Sequence, residues 1–106
     1  MFKQSNDISQ IVGDAATPDV FIFKHSATCP VSAWARQQVE AWMKKSGHDV
    51  YLVVVQSARP LSNAIAEKMG IRHESPQFIA VKAGTVAALS HNEITPENLD
   101  ALTGRG

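Results

Sequence analysis

The stretch Asp19-Val20-Phe21-Ile22-Phe23-Lys24-His25-Ser26-Ala27-Thr28-Cys29-Pro30-Val31-Ser32 decides the architecture. Asp19 to Lys24 is a short, nearly continuous apolar run, the pattern of a strand buried on both faces as in a central parallel sheet. Pro30 fits the first position of a helix, because its missing N–H would be unpaired there anyway. Behind it Val31, Ala35, Val39, Trp42 and Met43 recur at helical spacing on one face. Ser32, Arg36, Glu40 and Lys44 line the other side. Gly47 closes this helix after Lys44 and Lys45, whose charges suit the negative end of the helix dipole.

The remaining elements are arranged around that unit. Val50 to Val55 reads as a second buried strand. Pro60 opens a helix through Leu61, Ala64, Ile65 and Met69, ended by Gly70. Gln77 to Lys82 and Thr85 to Ser90 read as two strands across a tight Ala83-Gly84 turn. Thr95 caps the last helix, Pro96 starts it, and Ile94 can reach Leu99 as a hydrophobic staple. Upstream, Ile8 and Ser9 to Val12 suggest a short helix stopped at Gly13. The order is β-α-β-α-β-β-α behind an N-terminal helix. Strands joined through helices must lie parallel with right-handed crossovers, and a hairpin follows them. This is the thioredoxin-like α/β arrangement, a central mixed four-stranded sheet with helices on both faces, and it predicts one domain over residues 1–106.

Composition narrows the function. A chain of 106 residues, 44% hydrophobic and 19% charged, has room for one core and enough apolar side chains to fill it. Ten Lys and Arg against ten Asp and Glu argue against a nucleic-acid binder, which needs a cationic surplus to displace counterions. No apolar run approaches the roughly 20 residues of a membrane span, and Met1 to Asp7 carries no secretory pattern. The expected location is therefore the cytoplasm. A single cysteine excludes an internal disulfide, and a zinc site would need three histidines beside it.

That cysteine is placed for chemistry. With Pro30 at the first helical position, Cys29 falls on the N-cap, where Sγ can accept from the free N–H groups of Val31 and Ser32. The partial positive charge there favours thiolate over thiol and predicts a lowered pKa. Lys24 and His25 could add positive field from the strand end. An inert buried cysteine is the alternative, but Thr28, Pro30 and Ser32 are loop and cap residues rather than core neighbours. Six residues separate Cys29 from Arg36, one too many for a Cys-x5-Arg phosphatase. Ser32 stands where a dithiol Cys-x-x-Cys motif has its second sulfur. A serine hydroxyl can donate to a thiolate but cannot resolve a mixed disulfide, so release must come from a thiol outside the chain.

His73-Glu74-Ser75-Pro76-Gln77 precedes the third strand, where thioredoxin-like folds carry a cis-proline whose preceding residue pairs with an extended substrate; the alternative is an ordinary trans proline at a strand start. Ser75 and Pro76 would hold substrate there, together with Thr28 and Pro30 beside the thiol. His25 and His73 read as polar lining of this region, and His48 and His91 as structural. Trp42 reads as core, and Trp34 as partly exposed near the thiol.

Phe23-Lys24-His25-Ser26-x-Thr28-Cys29-Pro30-x-Ser32, with Arg59-x-Leu61-Ser62-Asn63-x-Ile65-Ala66-Glu67 and His73-Glu74-Ser75-Pro76-Gln77, resembles the monothiol bacilliredoxin family (YtxJ-type, of the bacillithiol system). The resemblance runs through His91 and the Ile94-Thr95 helix start. It implies a cytosolic thioredoxin-like oxidoreductase that removes bacillithiol from protein mixed disulfides, with Cys29 as the redox cysteine and Pro76 as the proline of the Ser-Pro-Gln motif. No cofactor is implied beyond bacillithiol as thiol substrate. The implied partners are bacillithiolated client proteins and a low-molecular-weight thiol or reductase for recycling, with no nucleic acid and no membrane. By charge, Lys24, Arg59 and Arg72 are candidates for holding the thiol's polar groups. Two other readings remain open at this point. One is a monothiol glutaredoxin-like iron–sulfur carrier, against which Pro30-Val31 counts. The other is a non-catalytic interaction module using Cys29 as a redox handle.

Overall fold

The computed structural model describes residues 2–4, 19–82 and 85–103. The expected helix around Ser9 to Val12 and the Ala83-Gly84 turn lie outside them. The chain forms β1 (Phe2–Lys3), β2 (Val20–His25), α1 (Pro30–Ser46), β3 (Val50–Val54), α2 (Arg59–Met69), β4 (Gln77–Lys82) and β5 (Thr85–Ser90). A 3-10 turn (His91–Glu93) and α3 (Pro96–Leu102) complete it. The sheet order is β1-β3-β2-β4-β5. β1, β3 and β2 run parallel, while β4 and β5 are antiparallel additions. The fold is thioredoxin-like, with five strands rather than four. The extra strand is β1, too short to show a hydrophobic period, and it exists because Phe2 and Lys3 pair with Val50 and Tyr51.

β2 lies at the centre of the sheet, and all six of its residues are buried. Alternation sends Phe21 and Phe23 to one face and Val20 and Ile22 to the other. The first face packs on Val39 and Trp42 of α1 and Leu99 of α3; the second packs on Leu61 and Ile65 of α2. Gly47 and Gly70 end α1 and α2 in the left-handed region, at φ 78° and 66°, where a side chain would be strained. Thr95 caps α3 by accepting from the Asn98 N–H, and Ile94 and Leu99 are both buried in the first-face core.

One face assignment differs from the sequence reading. Val31 is 36% exposed, and Ser32 is fully buried in its place. The inward row of α1 is Ser32, Ala35, Val39 and Trp42, at spacings of three, four and three. Val31 has the apolar character, but Ser32 has the phase. No helix among the described residues is long and apolar enough to cross a membrane.

Candidate functional site

β2 and β3 end, β4 begins and β5 ends at one edge of the sheet, because His25 pairs with Val54, Lys24 with Gln77 and Gln77 with Ser90. Four connecting segments therefore gather there: Ser26 to Cys29, Val55 to Ala58, Ile71 to Pro76, and His91 to Thr95. Ligands of open α/β sheets bind at such an edge.

Cys29 is the N-cap residue of α1, extended at φ −101° and ψ 121°, and its thiol is free and partly exposed. No complete capping hydrogen bond reaches Sγ, as a neutral thiol is a weak acceptor. The Ser32 N–H, opposed by desolvation and aided to a lesser degree by the Val31 N–H and the Ser32 hydroxyl, holds the Cys29 pKa below its ordinary value. Ser32 itself faces inward, and its Oγ accepts from the Ser26 N–H at 3.1 Å.

Lys24 and His25 do not supply the positive field expected of them. Lys24 follows Ile22 onto the α2 face, away from α1, and is fully buried. Its Nζ donates to the Ser62 carbonyl at 3.0 Å and meets His73 Nδ1 at 3.2 Å. Desolvation lowers its pKa to about 8. An ammonium has only donors, so Nδ1 accepts and the neutral ring carries its proton on Nε2. Burial, followed by the charges of Lys24 and Arg59, lowers the His73 pKa. The pKa of His25, on the α1 side, is lowered first by burial and then by Arg36, and its Nδ1 is buried without a hydrogen-bond partner among the described residues. Both rings are therefore biased towards the neutral form.

The buried ammonium leaves a measurable trace. Folded Lys24 loses its proton near pH 8, whereas the unfolded chain holds it to about 10.5. Between those values the unfolded state binds more protons, so the native protein gains stability relative to Lys24→Met as pH rises. The gain should total about 2–3 kcal/mol. Urea unfolding of both proteins at pH 7 and pH 10 measures it; a difference that does not change with pH would contradict the burial.

The Ser75–Pro76 segment is anchored from two sides. His73 bonds towards Lys24 and Ser62 Oγ, at 3.2 Å to each. Glu74 accepts from the Ser90 hydroxyl at 2.8 Å and lies 3.8 Å from His91 Nδ1. The Ser75–Pro76 peptide is cis. The Pro76 carbonyl is already occupied by the His91 N–H at 3.0 Å, and proline has no N–H, so among the described residues the backbone groups of this pair that remain available are those of Ser75. Register places the segment beside the end of β2, the same edge from which Thr28 and Cys29 emerge.

Beside the thiol, Pro30, Val31 and Trp34 line a shallow cleft of about 190 Å³ with Asn92. Trp34 is 37% exposed. Trp42, by contrast, is fully buried. Arg59 and Arg72 are exposed, unlike Lys24. His48 stacks on Trp42 and meets Phe21 edge-on, while His91 is exposed in the turn after β5. Sequence reasoning missed Gln56 and Asn92, polar residues of turns. Only the pairing of distant strands brings those turns to Cys29.

Known proteins share this fold. A solved structure described as a candidate oxidoreductase with a thioredoxin fold has 32% identity and a TM-score of 0.86, over 95% of this chain and 92% of that one. Fasciola hepatica thioredoxin shares the fold at 16% identity and a TM-score of 0.68, over 96% and 93%. Mitochondrial thioredoxin 3 of Saccharomyces cerevisiae does so at 10% and 0.71, over 99% and 95%. The profile of the monothiol bacilliredoxins called BrxC matches residues 1–99. With a lone cysteine at the start of α1 and a serine three residues on, this chain belongs to the monothiol bacilliredoxin BrxC family.

Proposed function

We propose that the protein is a monothiol thiol–disulfide oxidoreductase that removes bacillithiol from protein mixed disulfides through Cys29. The observation that carries this reading is the setting of the sulfur. It is partly exposed at a helix start, favoured as thiolate by the Ser32 and Val31 groups, and is the only thiol of the chain.

The Cys29 thiolate attacks the bacillithiol sulfur of a client–S–S–bacillithiol bond. A new bond forms between Cys29 Sγ and that sulfur as the old one breaks. The electron pair leaves with the client sulfur, which takes a proton from water. Disulfide and thiol exchange places, so no further oxidant or reductant enters this step. Cys29 then carries the bacillithiol. Ser32 cannot displace it, and the cycle closes when a low-molecular-weight thiol or a reductase attacks the adduct.

In this reading Thr28 and Pro30 flank the incoming disulfide, and Ser75, beside Pro76, pairs its backbone with the client in the manner of strand addition. Bacillithiolated proteins are the partners, and the cytoplasm, whose reducing pool keeps such a thiol free, is the compartment.

The test is a bacillithiolated client mixed with the native protein without any other thiol. Intact mass should show one client released per protein and one bacillithiol adduct on Cys29, with turnover only after free thiol is added. A client that keeps its adduct while Cys29 stays unmodified would overturn the proposal.

A further inference from the structure

Gln56 lies far from Cys29 in the chain, yet all of its amide bonding goes to the loop that precedes the cysteine. Oε1 accepts from the Ala27 N–H at 3.1 Å, while Nε2 donates to Ser26 Oγ at 2.8 Å and to Thr28 Oγ1 at 3.3 Å. The Ala27 N–H can only donate, which fixes the orientation of the amide: oxygen to Ala27, the two hydrogens to the hydroxyls. Its base is also fixed. The Val55 N–H donates to the His25 carbonyl at 2.9 Å, and the Ser57 N–H to the Val54 carbonyl at 3.1 Å.

The loop is coupled to the sulfur in turn. The Ser26 N–H donates to Ser32 Oγ at 3.1 Å, and the Cys29 N–H donates to the Ser26 carbonyl at 3.4 Å. An oxygen that accepts from Ser26 keeps its own hydrogen free to donate elsewhere, and the Ser32 hydroxyl is one of the groups that favour the Cys29 thiolate.

We infer that Gln56 is a positioning residue for thiol exchange: its amide clamps Ser26 to Thr28 so that the Ser26 N–H stays on Ser32 Oγ and the Cys29 N–H stays on the Ser26 carbonyl, which holds the cysteine in place at the start of α1. This rests on the exchange reaction proposed above, but it makes a separate claim about how the thiolate is maintained. The Gln56 amide bonds to the loop rather than to the sulfur. Its effect travels through two hydrogen-bonded steps, so removing it weakens the thiolate without abolishing it.

The test is the rate of Cys29 alkylation by iodoacetamide against pH, with thermal unfolding measured alongside, in the full chain and three variants. Gln56→Ala should move the midpoint of the alkylation profile to higher pH and slow alkylation at neutral pH about three-fold. Gln56→Glu keeps an acceptor for Ala27 but loses both donors and brings negative charge towards the thiolate, so its midpoint should rise further than that of the alanine variant. Ser57→Ala, which alters only a Ser57 hydroxyl bond to the Val54 carbonyl in the same turn, should leave the profile where it is.

Superimposable profiles for native, Gln56→Ala and Gln56→Glu proteins would overturn the inference, even with lowered melting temperatures, since Gln56 would then only stabilise the turn. A Ser57→Ala shift as large as that of Gln56→Ala would overturn it too. Alkylation needs no bacillithiol. A native protein that fails to release the client would therefore sink the proposed function while leaving the Gln56 result readable.

Discussion

Cys29→Ser should reduce removal of bacillithiol from a client to the uncatalysed rate, below about 1% of the native activity. The reason is chemical rather than structural. A serine hydroxyl is essentially un-ionised at neutral pH and is a poor nucleophile towards sulfur, and the chain has no other cysteine to take over. The helix start that favours a thiolate remains intact, with nothing reactive for it to act on. Folding should be spared. Cys29 is partly exposed and makes no capping bond in the thiol state, so the substitution should change stability by no more than about 0.5 kcal/mol. Equal melting curves with activity at background are the expected pair of results. A variant that still clears the client at the native rate would move the reaction away from Cys29 altogether.

The second large effect concerns the support beneath the cysteine. Trp42 is fully buried on the inner face of α1, edge-on to Phe21 and Phe78 at 5.6 Å each and stacked on His48 at 5.4 Å. Its Nε1 donates to Asp100 Oδ1 at 3.0 Å, which ties α1 to α3. Trp42→Ala removes these ring contacts, opens a cavity between helix and sheet, and loses the tie. The cost should be about 3–5 kcal/mol, a large part of the roughly 5–15 kcal/mol that holds a small domain together. Trp42→Phe keeps much of the ring packing and loses the hydrogen bond, so it should cost less than half as much. Urea midpoints at constant slope measure both. A Trp42→Ala midpoint equal to the native one would contradict the packing. The site depends on this contact because Cys29 caps the start of α1, and the packed tryptophan holds that helix against β2 and β4.

The individual residues show which inferences travel well from sequence to structure. Cys29 and Pro30 were legible because a helix start is a local event, settled by groups a few residues apart. Their consequence, a thiol favoured as thiolate by Val31 and Ser32, followed from the same short range. The β2 run was legible because burial on both faces leaves an uninterrupted apolar signature. It misled only where it ended: Lys24 looked like a surface charge beside the thiol, and alternation turned it onto the opposite face. Val31 misled in a similar way, as its apolar side chain suggested burial while the phase of α1 gave that place to Ser32.

By itself, the sequence determined the order of elements from β2 to α3, the helix ends at Gly47 and Gly70, the position of the lone thiol and the absence of a resolving partner at Ser32. All of these depend on neighbours along the chain. Tertiary structure alone decided that β1 joins the sheet, that Lys24 is enclosed with Ser62 and His73, and that Gln56 reaches back to Ser26, Ala27 and Thr28. Those contacts join residues brought together by strand order and register, which no local pattern of side chains records.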